Sequence, residues 1–228
     1  MPSLESILTS RLSEDAASWF RQAVHKVRAK GEATDAFLIM WSGAGRRLGQ
    51  VIIGTPTDLE RRELDDKKLA FFPVGWGADE YGRTLLLQGA LAARLPEAHA
   101  ALVNELFATG DLRERQAVLR ALPHLPAPER FVAVGIEAVR NNAVSLIEAI
   151  ACENPFPARH LPDEAFNQMV LKCLFCEVRL GRVHDLARRV TPELQRMVAA
   201  YASERRAAGG PVPVDVALIL GGNAPAPV

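Results

Sequence analysis

Apolar residues recur at helical spacing along most of this chain, and that pattern constrains its fold more than any other feature. Leu87, Leu91 and Leu95 lie four residues apart, and Leu194 and Val198 repeat the spacing near the other end. Side chains at this spacing share one face of an α-helix, so each set predicts an amphipathic helix with one apolar stripe. Alanine and leucine, both strong helix formers, dominate the composition. The chain is therefore predicted to be mainly helical.

Helix-start signals mark where several of these stripes begin. Thr57 with Glu60, and Asp111 with Glu114, have the spacing of a capping box, in which each side chain bonds the backbone N–H of the other residue. Thr191 precedes a proline, which suits the first position of a helix. Glycine and proline interrupt the stripes between these starts, and the signals together predict about ten helices.

The predicted helices favour an all-α fold without a sheet. The segments most like strands, residues 50–53 and 214–220, are short and isolated. From Asp111 onward the helices pair into two successive units, 111–142 and 143–177, each with a proline-containing turn. This pairing predicts stacked helical hairpins that resemble a short HEAT- or armadillo-like solenoid. An irregular helical bundle is the alternative, because periodicity alone does not distinguish the two packings.

The chain is long enough for one large domain. We predict a single all-helical domain over residues 1–210, with N-terminal helices and a loop in 1–56 and the helical-hairpin stack in 57–210. Residues 211–228 are predicted to form a short, largely disordered extension, because their composition ends in glycine, alanine and proline and offers little to bury.

The charge balance argues against one class of function. The chain has 27 basic and 27 acidic side chains, so it lacks the positive excess that draws a protein to nucleic acid or to anionic lipid. No apolar stretch approaches the roughly 18 residues of a membrane-spanning helix, and no signal peptide is evident near the N-terminus. Three cysteines do not make a disulfide framework. We therefore expect a cytoplasmic protein with no nucleic-acid partner and no direct membrane insertion.

The pair Cys173 and Cys176 resembles a metal or redox motif but fails on context. A zinc site needs two further ligands at a recognised spacing, and the redox motif opens a helix, whereas this pair lies late in an apolar run. We interpret the pair as two small buried residues on one helix. Neither a metal nor a cofactor is predicted.

A glycine-containing segment resembles a phosphate-binding loop but lacks its fingerprint. Gly43, Gly45 and Gly49 follow an apolar run, but Leu48 stands where the dinucleotide motif has a glycine, and no Lys-Ser or Lys-Thr pair follows. The segment is expected to be flexible. Its Arg46 and Arg47 are candidates for an anion-binding site.

The most unusual segment is residues 154–175, NPFPARHLPDEAFNQMVLKCLF. Its three prolines stiffen the approach to a helix that is predicted to begin near Asp163 and to be apolar nearly all round. Such a helix is expected at the centre of the domain. Polar side chains on it need partners, because an unpaired polar group is costly to bury.

Two interpretations of these polar side chains stay open. In the structural one, Asn167 and Gln168 bond backbone groups that the proline turn leaves open, and Lys172 pairs with Glu164 or extends to water. In the functional one, a few polar groups orient a ligand in a mostly apolar pocket. The candidate ligand-binding residues are Asn154, His160, Asn167, Gln168 and Lys172.

The same segment resembles the signature of the EboA family of metabolite traffic proteins. Further stretches occur in the family's order and extend the resemblance over about residues 37–210: FLIMWSGAGRRLG (37–49), WGADEYGRTLLLQ (76–88), LPHLPAP (122–128), GIEAVRNN (135–142) and TPELQRMVAAYASERRAAG (191–209). The resemblance implies a bacterial protein encoded together with a prenyltransferase-like membrane enzyme and other small-molecule enzymes. It carries over no catalytic residue.

Three hypotheses of function follow. The first is a non-catalytic helical protein of secondary metabolism that binds an apolar or amphipathic metabolite precursor, or docks onto the enzymes and the membrane partner that make and export it. The second is an enzyme in which Lys172, desolvated on its helix, acts as nucleophile or base and His160 carries the proton. The third is a pure scaffold that holds another protein in a groove between helices.

Overall fold

The structure, a computed structural model, describes residues 4–29, 34–54, 57, 58, 60 and 75–221, with Thr34 and Asp35 described by their backbone alone. This part of the chain is all-α, as predicted, and has no β-strand; two isolated bridges join Ile52 to Gly77 and Cys152 to Val183. The α-helices of the described part are α1 (Leu4–Ser10), α2 (Glu14–Arg28), α3 (Thr34–Leu48), α4 (Ala78–Ala92), α5 (His99–Thr109), α6 (Leu112–Ala121), α7 (Val132–Arg140), α8 (Val144–Ala151), α9 (Phe156–His160), α10 (Asp163–Phe175), α11 (Pro192–Ala207) and α12 (Ala217–Leu220).

The chain forms two compact units, residues 1–134 and 135–228. The division falls within α7, whereas the sequence predicts one domain over 1–210 with a change of organisation near residue 57. The stacked-hairpin packing is not confirmed and stays a prediction. Within the described ranges, no helix is both long enough and apolar enough to cross a bilayer.

The helix-start signals are confirmed at the level of individual atoms. The Thr57 amide donates to Glu60 Oε2 at 2.7 Å, and the Glu60 amide donates to Thr57 Oγ1 at 3.2 Å. The second capping box has the Glu114 amide on Asp111 Oδ1 at 2.8 Å and the Asp111 amide on Glu114 Oε2 at 3.1 Å. Thr191 caps α11 by accepting from the Leu194 amide at 3.1 Å. These side chains satisfy amides that lack a partner within the helix.

Helix α4 is the centre of the first unit. Every residue from Ala78 to Leu91 is buried except Gln88, which is partly exposed, and α1, α2, α3 and α6 pack around it. Gly82 permits the approach of α3, because a Cβ at this position would overlap Leu48 Cδ1. The sequence pattern assigns the central position to residues 163–175. In the structure, the central helix of the first unit is α4. Its charged residues make the sequence of α4 look like that of an exposed helix, although the helix is buried.

Those charged residues form a buried ion network at the start of α4. Asp79 Oδ2 accepts from Arg83 Nη1 at 2.8 Å, and Asp79 Oδ1 accepts from Arg113 Nη2 at 2.8 Å. Glu80 Oε2 accepts from Arg120 Nη1 at 2.6 Å and from the Gly77 amide at 2.8 Å. Each buried charge therefore has an opposite charge in contact with it, which is the condition for keeping a carboxylate or guanidinium in a helical core.

The second unit is built from α8, α10 and α11 with the segment that follows α11. Residues 214–216 form a 3-10 turn that leads into α12. Asp215 Oδ2 accepts from the Leu180 amide at 2.6 Å, and Gln195 Nε2 donates to the Ile219 carbonyl at 3.2 Å. Residues 211–221, part of the predicted extension, are therefore tied to the rest of the unit by hydrogen bonds, and the strand-like pattern at 214–220 is helical. Residues 222–228 lie outside the described ranges.

Candidate ligand-binding site

Asn154, the first of the predicted ligand-binding residues, uses its side chain to bind backbone groups. Its Nδ2 donates to the Ala149 carbonyl at 3.1 Å, and its Oδ1 accepts from the Phe156 amide at 3.0 Å. Both contacts are buried, and they join the end of α8 to the start of α9. The structural interpretation assigned bonds of this kind to Asn167 and Gln168, whereas here Asn154 makes them.

The polar side chains of α10 differ in their exposure to solvent and in their partners. Asn167 is buried, whereas Gln168 is exposed and its Nε2 lies 3.5 Å from Glu164 Oε1. Lys172 Nζ donates to Asn142 Oδ1 at 2.8 Å in an exposed position, so the predicted pairing with Glu164 does not form. The catalytic hypothesis requires a desolvated ammonium group, and this exposed contact does not provide one.

His160 lies in α9 with its ring against Phe156, at a centroid separation of 5.1 Å. The described cavity, defined below, includes none of the five predicted residues in its lining. Their role in ligand binding therefore stays a prediction, and Asn154 and Lys172 have structural partners in Ala149, Phe156 and Asn142.

Arg46 and Arg47 occupy the last turn of α3, so the segment predicted to be a flexible loop is helical. Both side chains are exposed. The C-terminal end of a helix carries a partial negative charge that attracts cations and disfavours anions. This position explains two adjacent arginines without a ligand, and the anion site proposed for them stays a prediction.

The described part of the second unit contains a cavity of about 380 Å³. Its walls come from the end of α10, the loop after α10, the last turn of α11 and the segment that the sequence predicted to be disordered. The lining residues are Leu174, Glu177, Val178, Arg179, Arg205, Pro211, Val212, Pro213, Val214 and Asp215. Six of these ten are apolar, which is the composition expected of a pocket for a small organic molecule.

The wall formed by residues 211–215 is held in place at both ends. Arg205 Nε donates to the Pro211 carbonyl at 3.2 Å, and Asp215 Oδ2 accepts from the Leu180 amide at 2.6 Å. Pro211 and Pro213 fix their own φ angles and restrict the residues before them. The two anchors and the two prolines therefore preform this side of the cavity.

An aromatic pair adjoins the cavity through Leu174. Tyr201 donates its hydroxyl to the Leu174 carbonyl at 3.3 Å, and its ring meets Phe175 edge-on with the centroids 4.9 Å apart. Phe175 is nonetheless 64% exposed. The C-terminal end of α10 thus presents an apolar surface next to the apolar cavity.

The three cysteines do not form a recognisable metal centre. Cys173 is buried in α10, where burial raises the pKa of its thiol above the usual range, and Cys176 is partly exposed just beyond the helix. Among the residues that the structure describes, no three His, Cys, Asp or Glu side chains are placed to hold a metal ion.

The sequence pattern does not predict the cavity, because one of its walls is a segment without helical periodicity that follows α11. The signal that could have identified it is PVPVD at 211–215. In this stretch two prolines alternate with apolar valines, and the stretch ends in a carboxylate able to cap a distant amide. A disordered polar tail has no need of that alternation.

The described part of the chain is thus all-helical, with a mainly apolar cavity in its C-terminal unit. The family model described as "Metabolite traffic protein EboA" matches residues 1–220. The chain belongs to the EboA family of metabolite traffic proteins, as the resemblance of its motifs implied. No curated protein and no solved structure matches it.

Proposed function

We propose that this protein binds one small apolar or amphipathic metabolite in the cavity of its second unit and carries it without catalysing a reaction. The observation that carries the proposal is the cavity of about 380 Å³ lined by six apolar residues. Pockets for small organic ligands span roughly 300 to 1,000 Å³ and combine apolar walls with a few polar groups. Membership of a metabolite traffic family supports the same function.

The preformed wall supports binding by a carrier. A pocket whose walls are ordered before the ligand arrives loses less conformational entropy on binding. The anchors from Arg205 to Pro211 and from Asp215 to Leu180 supply that order. The ligand would contact Leu174, Val178 and Val212 along its apolar length.

Nile red, an uncharged apolar dye, tests the proposal directly. We expect the wild-type protein to enhance its fluorescence saturably, with one dye per chain. Val212→Trp fills the cavity and should weaken dye binding at least about tenfold. Val144→Trp, at an exposed position on α8 outside the cavity lining, is the matched control and should bind as the wild type does. Equal binding by the wild type and Val212→Trp would reject the cavity as the site.

A second candidate function, docking onto partner proteins, is favoured by the exposure of Phe175. Exposed aromatic side chains are frequent energetic centres of protein interfaces. The partners that the family resemblance implies are biosynthetic enzymes and a prenyltransferase-like membrane protein. Phe175→Ala should then reduce the capture of a purified candidate partner, with Val144→Ala as the control for loss of another exposed apolar side chain. Undiminished capture by Phe175→Ala would reject this surface.

A further inference from the structure

We infer that the ligand of the cavity carries an anionic group, a carboxylate or a phosphate, that pairs with Arg179 and Arg205. This inference rests on the proposed function and specifies its ligand class. The apolar body would lie against Leu174, Val178 and Val214.

Three arginines of the second unit that do not line the cavity are bound to carboxylates, whereas Arg140, Arg159 and Arg206 have none within ion-pair distance among the described residues. Arg182 makes a bidentate pair with Glu153 at 2.8 and 2.9 Å. Arg189 Nη2 lies 3.0 Å from Asp163 Oδ1. Arg196 likewise makes two bonds to a neighbouring glutamate, at 2.6 and 2.8 Å. Bidentate pairing of this kind is the preferred state of a guanidinium group that has a carboxylate within reach.

The two arginines of the cavity lack such a partner. No carboxylate of the described residues lies within ion-pair distance of Arg179 or Arg205. The described side-chain bond of Arg205 uses Nε, on the Pro211 carbonyl, and leaves both Nη groups for another acceptor. A guanidinium held by one edge and open at the other presents a planar fork that suits a carboxylate or phosphate.

The carboxylates of the cavity do not cancel this preference. Asp215 is engaged by the Leu180 amide through a charge-assisted hydrogen bond of 2.6 Å. Glu177, at a left-handed turn with φ of 57°, and Arg179 are both exposed, so water screens the charges of both. Arg205 is partly buried in the lining, so its charge is less screened by water than those of the exposed charged residues. Since the cavity is far larger than an inorganic anion requires, the ligand is an amphipathic anion.

Four eight-carbon probes separate charge from apolar character: octanoate, octyl phosphate, 1-octanol and octylammonium. Isothermal titration calorimetry on the full chain should show octanoate and octyl phosphate binding at least about tenfold more tightly than 1-octanol, with octylammonium the weakest. Arg205→Gln and Arg179→Gln should each remove most of that preference, whereas Arg205→Lys should retain part of it. Arg206→Gln, which changes an exposed neighbour on α11 outside the lining, is the control and should behave as the wild type does.

The possible failures are distinguishable. If 1-octanol binds as tightly as octanoate, and neither cavity arginine affects either probe, the anionic ligand class is wrong while the cavity stands as an apolar site. If no probe binds and Nile red also fails to bind, the proposed function fails as well. Sedimentation with phosphatidylcholine vesicles that contain phosphatidylglycerol separates a free anion from a lipid headgroup. Vesicle binding without octanoate binding would overturn the inference, and octanoate binding without sedimentation supports it.

Discussion

The guanidinium carbon of Arg189 lies 4.4 Å from the centre of the Phe166 ring, and this contact joins the short 3-10 turn Leu186–Arg189 to α10. The same side chain donates to the carbonyls of Pro157, Ala158 and Leu161 at 3.2, 2.6 and 2.9 Å. These carbonyls lie at the end of α9, where the helix itself supplies no donors. Arg189 therefore stabilises the backbone conformation of the proline-rich turn between α9 and α10.

Replacing Arg189 with alanine should destabilise the second unit by about 2 to 4 kcal/mol, because it removes several charged hydrogen bonds and a cation–π contact. Arg189→Lys should lose nearly as much, since an ammonium group cannot reach all three carbonyls at once. Hydrogen–deuterium exchange of residues 156–175 measures the effect. Arg188→Ala, at a highly exposed neighbour, is the control. Unchanged exchange in Arg189→Ala would contradict this role.

The buried pair of Asp79 and Arg83 gives a prediction for the first unit. Asp79→Ala leaves the Arg83 guanidinium, whose side chain is 3% exposed, without its carboxylate. The expected loss is about 3 to 5 kcal/mol, because a buried charge without a partner is costly. Glu5→Gln, which disrupts the more exposed pair with Arg28, should cost no more than about 1 kcal/mol.

Urea unfolding followed by tryptophan fluorescence measures both variants, since all three tryptophans lie in the first unit. Equal losses in the two variants would show that the network on α4 behaves like an ordinary surface pair.

Gly135 marks a close approach of helices in the second unit. A Cβ there would lie 2.9 Å from Phe156 Cε1 and 3.0 Å from Leu161 Cδ2, and both of these side chains are buried. Gly135→Ala should destabilise by about 1 to 2 kcal/mol, because overpacking outweighs the higher helix propensity of alanine. Gly181→Ala has nothing within 4 Å of the added carbon and should be nearly neutral. Thermal unfolding followed by circular dichroism compares them, and an equal or higher melting temperature for Gly135→Ala would refute the packing argument.

His124 should make the stability of the first unit depend on pH. Its ring meets Trp76 edge-on with the centroids 5.6 Å apart, both ring nitrogens are inaccessible to water, and burial lowers the pKa of the imidazole to about 4. In the unfolded chain the imidazole has its ordinary pKa of about 6.5. Between these two values the unfolded state binds more protons than the folded state. The stability is therefore fully present above about pH 6.5 and falls as the pH drops towards 4.

The expected loss between pH 7 and pH 5 is about 2 kcal/mol. His124→Phe keeps a ring against Trp76 but cannot take up a proton, so its stability should change less over the same interval. Urea unfolding at the two pH values, again followed by tryptophan fluorescence, provides the comparison. An identical pH dependence in the variant would show that other groups are responsible.

The helix starts could be predicted from the sequence because a capping box joins residues three positions apart, such as Asp111 and Glu114. Because both residues of a capping box lie within four consecutive positions, a short stretch of sequence is enough to recognise it. The helical state of residues 43–48 could not be predicted from the local pattern. There the glycines lower the intrinsic helix propensity, but Trp41 and Ala44 are buried and tertiary packing outweighs that preference.

The cavity was harder still to predict from local sequence patterns. Its far wall depends on a hydrogen bond from Leu180 to Asp215, which are 35 positions apart in the chain. The PVPVD stretch offers a carboxylate for such an anchor, but it does not show which distant amide that carboxylate binds. The helix that carries the family signature does reach the cavity, but it does so through Leu174 rather than through the polar residues predicted from the sequence.

Native mass spectrometry of the protein isolated from the cells that produce it shows whether the cavity carries a ligand. We expect one noncovalently bound small molecule per chain, released on denaturation and absent from the Val212→Trp variant but retained in Val144→Trp. A wild-type protein that shows only its bare mass, or a bound molecule that persists unchanged in Val212→Trp, would contradict this expectation.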